Sequence, residues 1–139
     1  MKKCFLITLY VIFIIILMVV VAFIANPLLR TEAGIRRQLL RNIPIGTSME
    51  DVIRIADENA NWIINVKDEH IGIVLHPTLF FPMRNMPRDR GFPVVGERSV
   101  RVHLGTYHII IRVDVSAYFA FDEESKLIEI FVRKQYDLI

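Results

Sequence analysis

"YHIIIRVDVSAYFAF", residues 107–121, decides the fold class of this 139-residue chain. Every odd position is apolar, whereas the even positions include His108, Arg112, Asp114 and Ser116. Alternation with a period of two is typical of an antiparallel strand that packs one face on a core. Because strands usually have about five or six residues, we expect a bulge or a bend inside this stretch.

Four further segments have the composition or the alternation of strands. These are residues 62–66, 71–75, 99–104 and 127–134. The first two flank a polar turn and are interpreted as a β-hairpin. Gly105-Thr106 is expected to interrupt the strand between the third segment and the quoted stretch. Residues 122–126 are expected to form the turn into the last strand.

Two helices are predicted before the strands. Asn26 is expected to cap the first helix, with Pro27 at its first position and its end near Asn42. The second begins inside "IPIGTSMEDVIRIA", residues 43–56, where Thr47 and Glu50 have the spacing of a capping box, as Ser48 and Asp51 do in a weaker form. A phosphate-binding loop uses several glycines and a lysine, so this single-glycine turn is interpreted as a helix start.

Residues 5–25 contain no charged residue, and sixteen of these 21 residues are Leu, Ile, Val or Phe. At about 1.5 Å per residue this helix is about 30 Å long, the thickness of the hydrocarbon core of a bilayer. We predict a transmembrane signal anchor in residues 1–26 and an α+β domain in residues 27–139. A signal peptide cleaved near residues 20–22 is the alternative, whereas the lipoprotein pattern is excluded because Cys4 precedes the apolar run.

The orientation of this anchor rests on charges that conflict. Lys2 and Lys3 favour a cytoplasmic N-terminus and an extracytoplasmic domain. Four arginines beyond the other end of the anchor argue for the reverse: Arg30, Arg36, Arg37 and Arg41. Residues 28–139 carry 15 basic and 15 acidic residues, so their net charge of zero gives no electrostatic case for nucleic-acid binding.

Residues 76–98 form a long loop with four prolines, and loops of this length are usually functional or mobile. Its central part, residues 80–93, is rich in the aromatic, Met and Arg residues that are enriched at protein interfaces. The alternative is that the phenylalanines fold back under the loop and the arginines are solvated. The candidate partner-binding residues are Phe80, Phe81, Met83, Arg84, Met86, Arg88, Arg90 and Phe92.

No catalytic residue, metal site or cofactor is predicted. The four histidines (His70, His76, His103 and His108) lack the close spacing of metal ligands. Ser116 and Thr106 have no strained nucleophile elbow or oxyanion motif around them. A pocket that joins His103, His108 and Asp114 would instead point to an enzyme.

Two short motifs resemble a known group of domains. Gly46-Thr47-Ser48 followed by Val52 is similar to the helix start of the small β-barrel-assembly lipoproteins, and residues 121–127 resemble a turn that those domains share with β-lactamase inhibitor proteins. The resemblance covers residues 30–134 and implies two helices on one face of a curved antiparallel sheet, with a role in protein–protein contact. This chain departs from the pattern in three ways. It has no lipidated cysteine after the apolar run, it has Ser125 where the family prefers glycine, and its loop of residues 76–98 is longer than the family pattern leads us to expect.

The sequence therefore predicts an α+β protein: a transmembrane helix, then two helices on one face of a four- to five-stranded antiparallel sheet. We expect a non-catalytic interaction module of the cell envelope that contacts the bilayer through residues 5–25 and binds another envelope protein, without nucleic acid. Two alternatives remain: a domain whose basic loop and Arg30–Arg41 segment contact lipid headgroups, or a small hydrolase-like enzyme.

Overall fold

The computed structural model describes residues 2–68, 70–75, 80–81, 93–108 and 110–137. The helical elements are α1 (Lys2–Ala25), the 3-10 helix η1 (Pro27–Leu29), α2 (Glu32–Asn42) and α3 (Met49–Glu58). The strands are β1 (Ile63–Asp68), β2 (Ile73–Leu75), β3 (Phe80–Phe81), β4 (Val94–Val95), β5 (Arg98–His108), β6 (Arg112–Phe121) and β7 (Leu127–Asp137). The main sheet has the order β1-β5-β6-β7, the small sheet has the order β3-β2-β4, and all pairs are antiparallel. The predicted α+β class and antiparallel sheet are confirmed.

The main core lies between α2, α3 and one face of the main sheet. Its largest fully buried side chains come from the apolar positions of β6 and β7 and from the loop before α3: Phe119, Phe121, Leu127, Ile130 and Ile43. The helices contribute the residues of one stripe each: Ile35, Leu39, Met49, Val52 and Ala56. The predicted packing of two helices on one face of the sheet is therefore confirmed.

The alternating stretch of residues 107–121 is divided between two strands. β5 ends at His108 and β6 begins at Arg112, so Ile110 and Ile111 lie in the turn between them. The register of β6 against β7 shifts between Ala120 and Phe121, inside the quoted stretch, and that of β5 against β6 shifts before it, between His103 and Gly105. The predicted break at Gly105-Thr106 is therefore wrong: the strand continues through these residues, and Gly105 adopts a φ of 146° that favours glycine.

The predicted hairpin of residues 62–66 and 71–75 is also wrong. β1 pairs with β5, with Ile64 opposite Val102, whereas β2 pairs with β3 and β4. Both segments have strand composition, but composition does not encode the partner of a strand.

The segment of residues 27–42 forms two short elements where one helix was predicted. Asn26 caps η1 by accepting a hydrogen bond from Leu28 N–H, and Thr31 caps α2 by accepting from Gly34 N–H. At α3 the cap is Ser48, whose hydroxyl accepts from Asp51 N–H at 3.2 Å. The Ser48–Asp51 pair therefore supplies this N-cap.

The turn between β6 and β7 contains a serine in a backbone conformation that favours glycine. Ser125 adopts a φ of 61°, in the left-handed region that glycine reaches without steric cost. Asp122 Oδ1 accepts a hydrogen bond from Lys126 N–H at 2.8 Å, and Arg98 donates to the Ser125 hydroxyl. These hydrogen bonds hold the turn in a conformation that is unfavourable for serine.

Side chains of α2 cover the exposed edge of β7. Arg36 Nε donates to the Ile130 carbonyl at 2.9 Å, and Glu32 accepts from Lys134 N–H at 2.8 Å. Arg36 also forms an ion pair with Glu129. These contacts occupy edge groups that would otherwise be available to another strand.

Helix α1 projects an apolar surface that nothing in the described chain covers. The side chains that the structure describes there, residues 6–21, 24 and 25, are all exposed. Within the described residues, no helix is both long enough and apolar enough to cross a membrane.

Candidate functional site

Both ends of the predicted interaction loop are held by the same strand. Phe80 and Phe81 form β3, which pairs with β2, and β4 pairs with the other edge of β2. Leu75 N–H donates to the Pro93 carbonyl at 2.9 Å. The other six candidate residues lie outside the described residues: Met83, Arg84, Met86, Arg88, Arg90 and Phe92.

The small sheet packs on the face of the main sheet opposite the helices, which we call the outer face. Ile73 of β2 is fully buried against Tyr118 and Ala120 of β6. Ser99 Oγ donates to the Ile71 carbonyl at 2.7 Å. The segment that carries the candidate loop is therefore fixed to the outer face.

Two glycines allow this close packing. A Cβ on Gly72 would lie 1.9 Å from the Gly96 carbonyl oxygen, and a Cβ on Gly96 would lie 2.6 Å from the Phe121 carbonyl oxygen. Gly96 also has a φ of 77°. Because backbone atoms occupy these positions, side chains at residues 72 and 96 would push the small sheet away from β6.

Polar and cationic side chains cover the rest of the outer face. The pairing of β5, β6 and β7 aligns them in four rows, which we call the outer-face strip. The rows are Arg101–Tyr118–Phe131, His103–Ser116–Arg133, Thr106–Asp114–Gln135 and His108–Arg112–Asp137.

Tyr118 is the aromatic centre of this strip. The Arg101 guanidinium carbon lies 5.4 Å from the centroid of the Tyr118 ring, a cation–π distance. Burial raises the pKa of the Tyr118 phenol above its ordinary value of 10.0, although Arg101 and Arg133 act in the opposite direction. The phenol is therefore neutral at neutral pH, and the two arginines give this part of the strip a positive charge.

The hydroxyl of Thr106 joins two of the residues that would have pointed to an enzyme. It donates a hydrogen bond to Asp114 Oδ1, and His103 Nε2 lies 3.2 Å from Thr106 Oγ1. Arg112 Nε lies 3.3 Å from Asp114 Oδ2. His108 is exposed and belongs to the next row.

The order of these groups differs from that of a hydroxyl-nucleophile triad. In such a triad the histidine lies between the hydroxyl and the carboxylate and takes the proton of the hydroxyl. Here the Thr106 hydroxyl lies between His103 and Asp114. The hydrogen bond from Thr106, followed by that from Arg112, lowers the pKa of the Asp114 carboxyl, which makes this carboxylate a weak base.

The sequence did not single out Tyr118, Arg101 or Arg133. Tyr118 occupies an even, outward position in β6, but its aromatic character resembles that of the core residues. Arg133 joins it only through the pairing of β6 with β7, which the local pattern does not specify. Across the described ranges, no group of three His, Cys, Asp or Glu side chains has an arrangement that could hold a metal ion.

Comparison with protein-family models, with curated proteins and with solved structures finds no match to this chain. The resemblance to the β-barrel-assembly lipoproteins and β-lactamase inhibitor proteins therefore stays a prediction.

Replacement of Gly72 tests how the small sheet is held. In the Gly72→Ala variant the new methyl group would overlap the Gly96 carbonyl, so we expect the small sheet to separate from β6. The Leu75 N–H donates a hydrogen bond to the Pro93 carbonyl, so hydrogen exchange of the Leu75 amide should become faster. Gly46→Ala is the matched control: its φ of 92° carries a strain of about 1–3 kcal/mol, but its Cβ meets nothing within 4 Å. Unchanged exchange at Leu75 in Gly72→Ala would contradict the proposed packing.

The lowered pKa of Asp114 predicts a specific pH dependence of stability. Because its folded pKa lies below the ordinary value of 3.8, the carboxylate stabilises the fold above that pH, and this stabilisation is lost as the pH falls through the folded pKa. Thr106→Val removes the main hydrogen-bond donor, so the unfolding free energy should depend less on pH in the acid range. Thr106→Ser retains the donor and should retain the slope. Denaturant titrations across the acid range measure this, and equal slopes for the valine and serine variants would reject it.

Proposed function

We propose that this chain is a membrane-anchored, non-catalytic protein-interaction module of the cell envelope. Its contact surface would consist of residues 80–93 and the neighbouring outer-face strip. The observation that carries the proposal is that β2 holds both ends of the loop segment on the outer face. A loop with fixed ends loses less conformational entropy when it binds.

The composition of the surface supports a protein partner. The outer-face strip combines Arg101 and Arg133 with the Tyr118 and Phe131 rings. Arginine and aromatic residues are enriched at protein interfaces, and guanidinium groups bind carboxylates with two parallel hydrogen bonds. The chemistry of this surface fits a partner segment that carries Asp or Glu.

The proposal of a membrane anchor rests on the sequence of residues 5–25 and on the exposure of the described side chains of α1. The described side chains of α1 are continuous from Leu6 to Val21, and the uncharged run in the sequence extends over residues 5–25. The support comes from the sequence: the uncharged run has 21 residues, and a span needs about 20 predominantly apolar residues. The described part of the chain by itself contains no helix that reaches this limit. The exposure of these side chains would be costly in water and favourable in lipid.

We propose a cytoplasmic N-terminus and an extracytoplasmic domain. Lys2 and Lys3 favour this orientation. Among the four arginines that argue against it, Arg36 is paired with Glu129 and Arg30 donates to Gln38.

Cysteine labelling tests the anchor and its orientation in the full chain. In sealed right-side-out membrane vesicles, a membrane-impermeant maleimide should label an Ile45→Cys variant, because residue 45 is 55% exposed in the domain. The native Cys4 should react only after the vesicles are opened. Labelling in the reverse order would contradict the orientation, and release of the chain by alkaline carbonate would contradict the anchor.

Site-specific photo-crosslinking in membranes tests the interaction surface. A photoreactive amino acid at Met83 or Met86 should form a discrete adduct with one envelope protein, whereas the same group at Ile45 should not. Simultaneous replacement of Arg84, Arg88 and Arg90 by Ala should remove most of the adduct. Replacement of Arg37 and Arg41, which are exposed on α2, is the control for loss of positive charge.

The same experiment separates the proposal from the lipid-headgroup alternative. That alternative is favoured by the exposure of Arg37 and Arg41, which follow the anchor closely. If the loop contacts lipid, the photoreactive group should form lipid adducts and no protein adduct. An adduct that survives the loss of all three loop arginines would count against these residues as partner contacts.

A further inference from the structure

The turn between β5 and β6 carries an apolar group that faces away from the protein. Ile110 is 92% exposed, the highest value among the large apolar side chains that the structure describes. Ile111 beside it is half-buried. His108 and Arg112 flank the pair, and both are exposed. We call Ile110 and Ile111 the hairpin tip.

The hairpin tip lies at the end of the sheet that receives the chain from α1. Only Asn26 separates α1 from η1, and Leu28 of η1 packs against β5. A Cβ on Gly105 would lie 2.9 Å from Leu28 Cδ1, so the side chain of Leu28 occupies the space that the glycine leaves. Ala25 lies within about 11 Å of Leu28 along the chain, and Gly105 lies within about 17 Å of Ile110 along the strand.

The opposite end of the domain is far from this junction. Ile45 belongs to the loop whose Gly46 N–H donates to the Leu127 carbonyl, beside the turn between β6 and β7. β6 separates the two ends, and its ten residues span about 33 Å. Ile45 and Ile110 are therefore exposed isoleucines at opposite ends of one sheet.

Aromatic and basic side chains surround the hairpin tip. Tyr107 and Tyr136 lie in the second row from it, on either side of Val113, and Tyr136 is 59% exposed. Lys134 Nζ lies 3.2 Å from the Tyr107 hydroxyl and 5.2 Å from the centroid of its ring. The charge of Arg112 is partly balanced by Asp114. Tyrosine and lysine near an apolar group are typical of the boundary between lipid headgroups and acyl chains.

We infer that the hairpin tip inserts into the headgroup–acyl boundary of the bilayer that anchors α1. This inference rests on the proposed membrane anchor and adds a second contact between the chain and the membrane. The occupant is the lipid bilayer because the tip lies at the end of the sheet where the anchor arrives and has an interfacial composition. Two points of attachment would fix the orientation of the domain relative to the membrane.

Fluorescence of the full chain in phosphatidylcholine–phosphatidylglycerol vesicles tests this inference. An environment-sensitive probe is attached to an Ile110→Cys variant in a Cys4→Ser background, with Ile45→Cys in the same background as the matched control. At residue 110 the emission should shift to shorter wavelength, and nitroxide-labelled lipids should quench it while aqueous iodide should not. At residue 45 iodide should quench the emission and the lipid nitroxide should not.

Flotation of the same vesicles separates the possible failures. If the chain floats and iodide quenches both probes equally, the inference is overturned while the anchor stands. If the chain does not float, the proposed anchor and the inference both fail. A blue shift that disappears when the protein is diluted in lipid would indicate a second copy of the chain as the occupant and would also overturn the inference. Ile110→Cys should leave the unfolding temperature unchanged, since residue 110 is almost fully exposed.

Discussion

The register of β5 against β6 is the constraint on which the rest of the structure depends. Val100 pairs with Phe119 and Val102 pairs with Ala117 on the side of the helices, so the residues between them face the opposite side. Because side chains alternate between the faces of a strand, a slip by one residue would exchange the two sets. The same pairing thus builds the core and aligns the polar rows of the outer-face strip.

The bulge at Gly105 reconciles two alternation patterns in one strand. Before it the even positions of β5 face the core, and after it the odd positions do, as Tyr107 pairs with Val113. Leu104 has no partner in the register and is buried in the core. The glycine that follows it leaves room for Leu28. This bulge therefore keeps the apolar side chains of β5 on the core face on both sides of Gly105. It also leaves space for Leu28 of η1, the element that follows α1.

The sequence predicted what depends on local periodicity and missed what depends on pairing over long distances. The alternation in residues 107–121 identified the face of the sheet that packs on the core. It did not reveal the turn, because Ile111 in the turn is an apolar residue at an odd position, like the core residues of the strand. The alternation changes phase at Gly105, and this pattern fits a break of the strand as well as a bulge, because both leave the same local pattern. The partner of β1 and the meeting of Tyr118 with Arg133 depend on strand order, which no local pattern encodes. Of the candidate site, only the strand character of Phe80 and Phe81 falls within the described residues.

The position of the small sheet on β6 bears on the choice between a protein and a lipid partner. Ile73 packs on Tyr118 and Ala120, near the end of β6 that leads to β7, whereas the hairpin tip lies at the other end. Arg112, which follows the hairpin tip, and Ala120 are eight residues apart in β6, which corresponds to about 26 Å of strand. Attraction between exposed charges is screened within about 8 Å at physiological ionic strength. If the hairpin tip touches the bilayer and the strands of the main sheet stand upright on it, the ends of the 80–93 loop are therefore held beyond the reach of the headgroups, where a neighbouring protein can approach them.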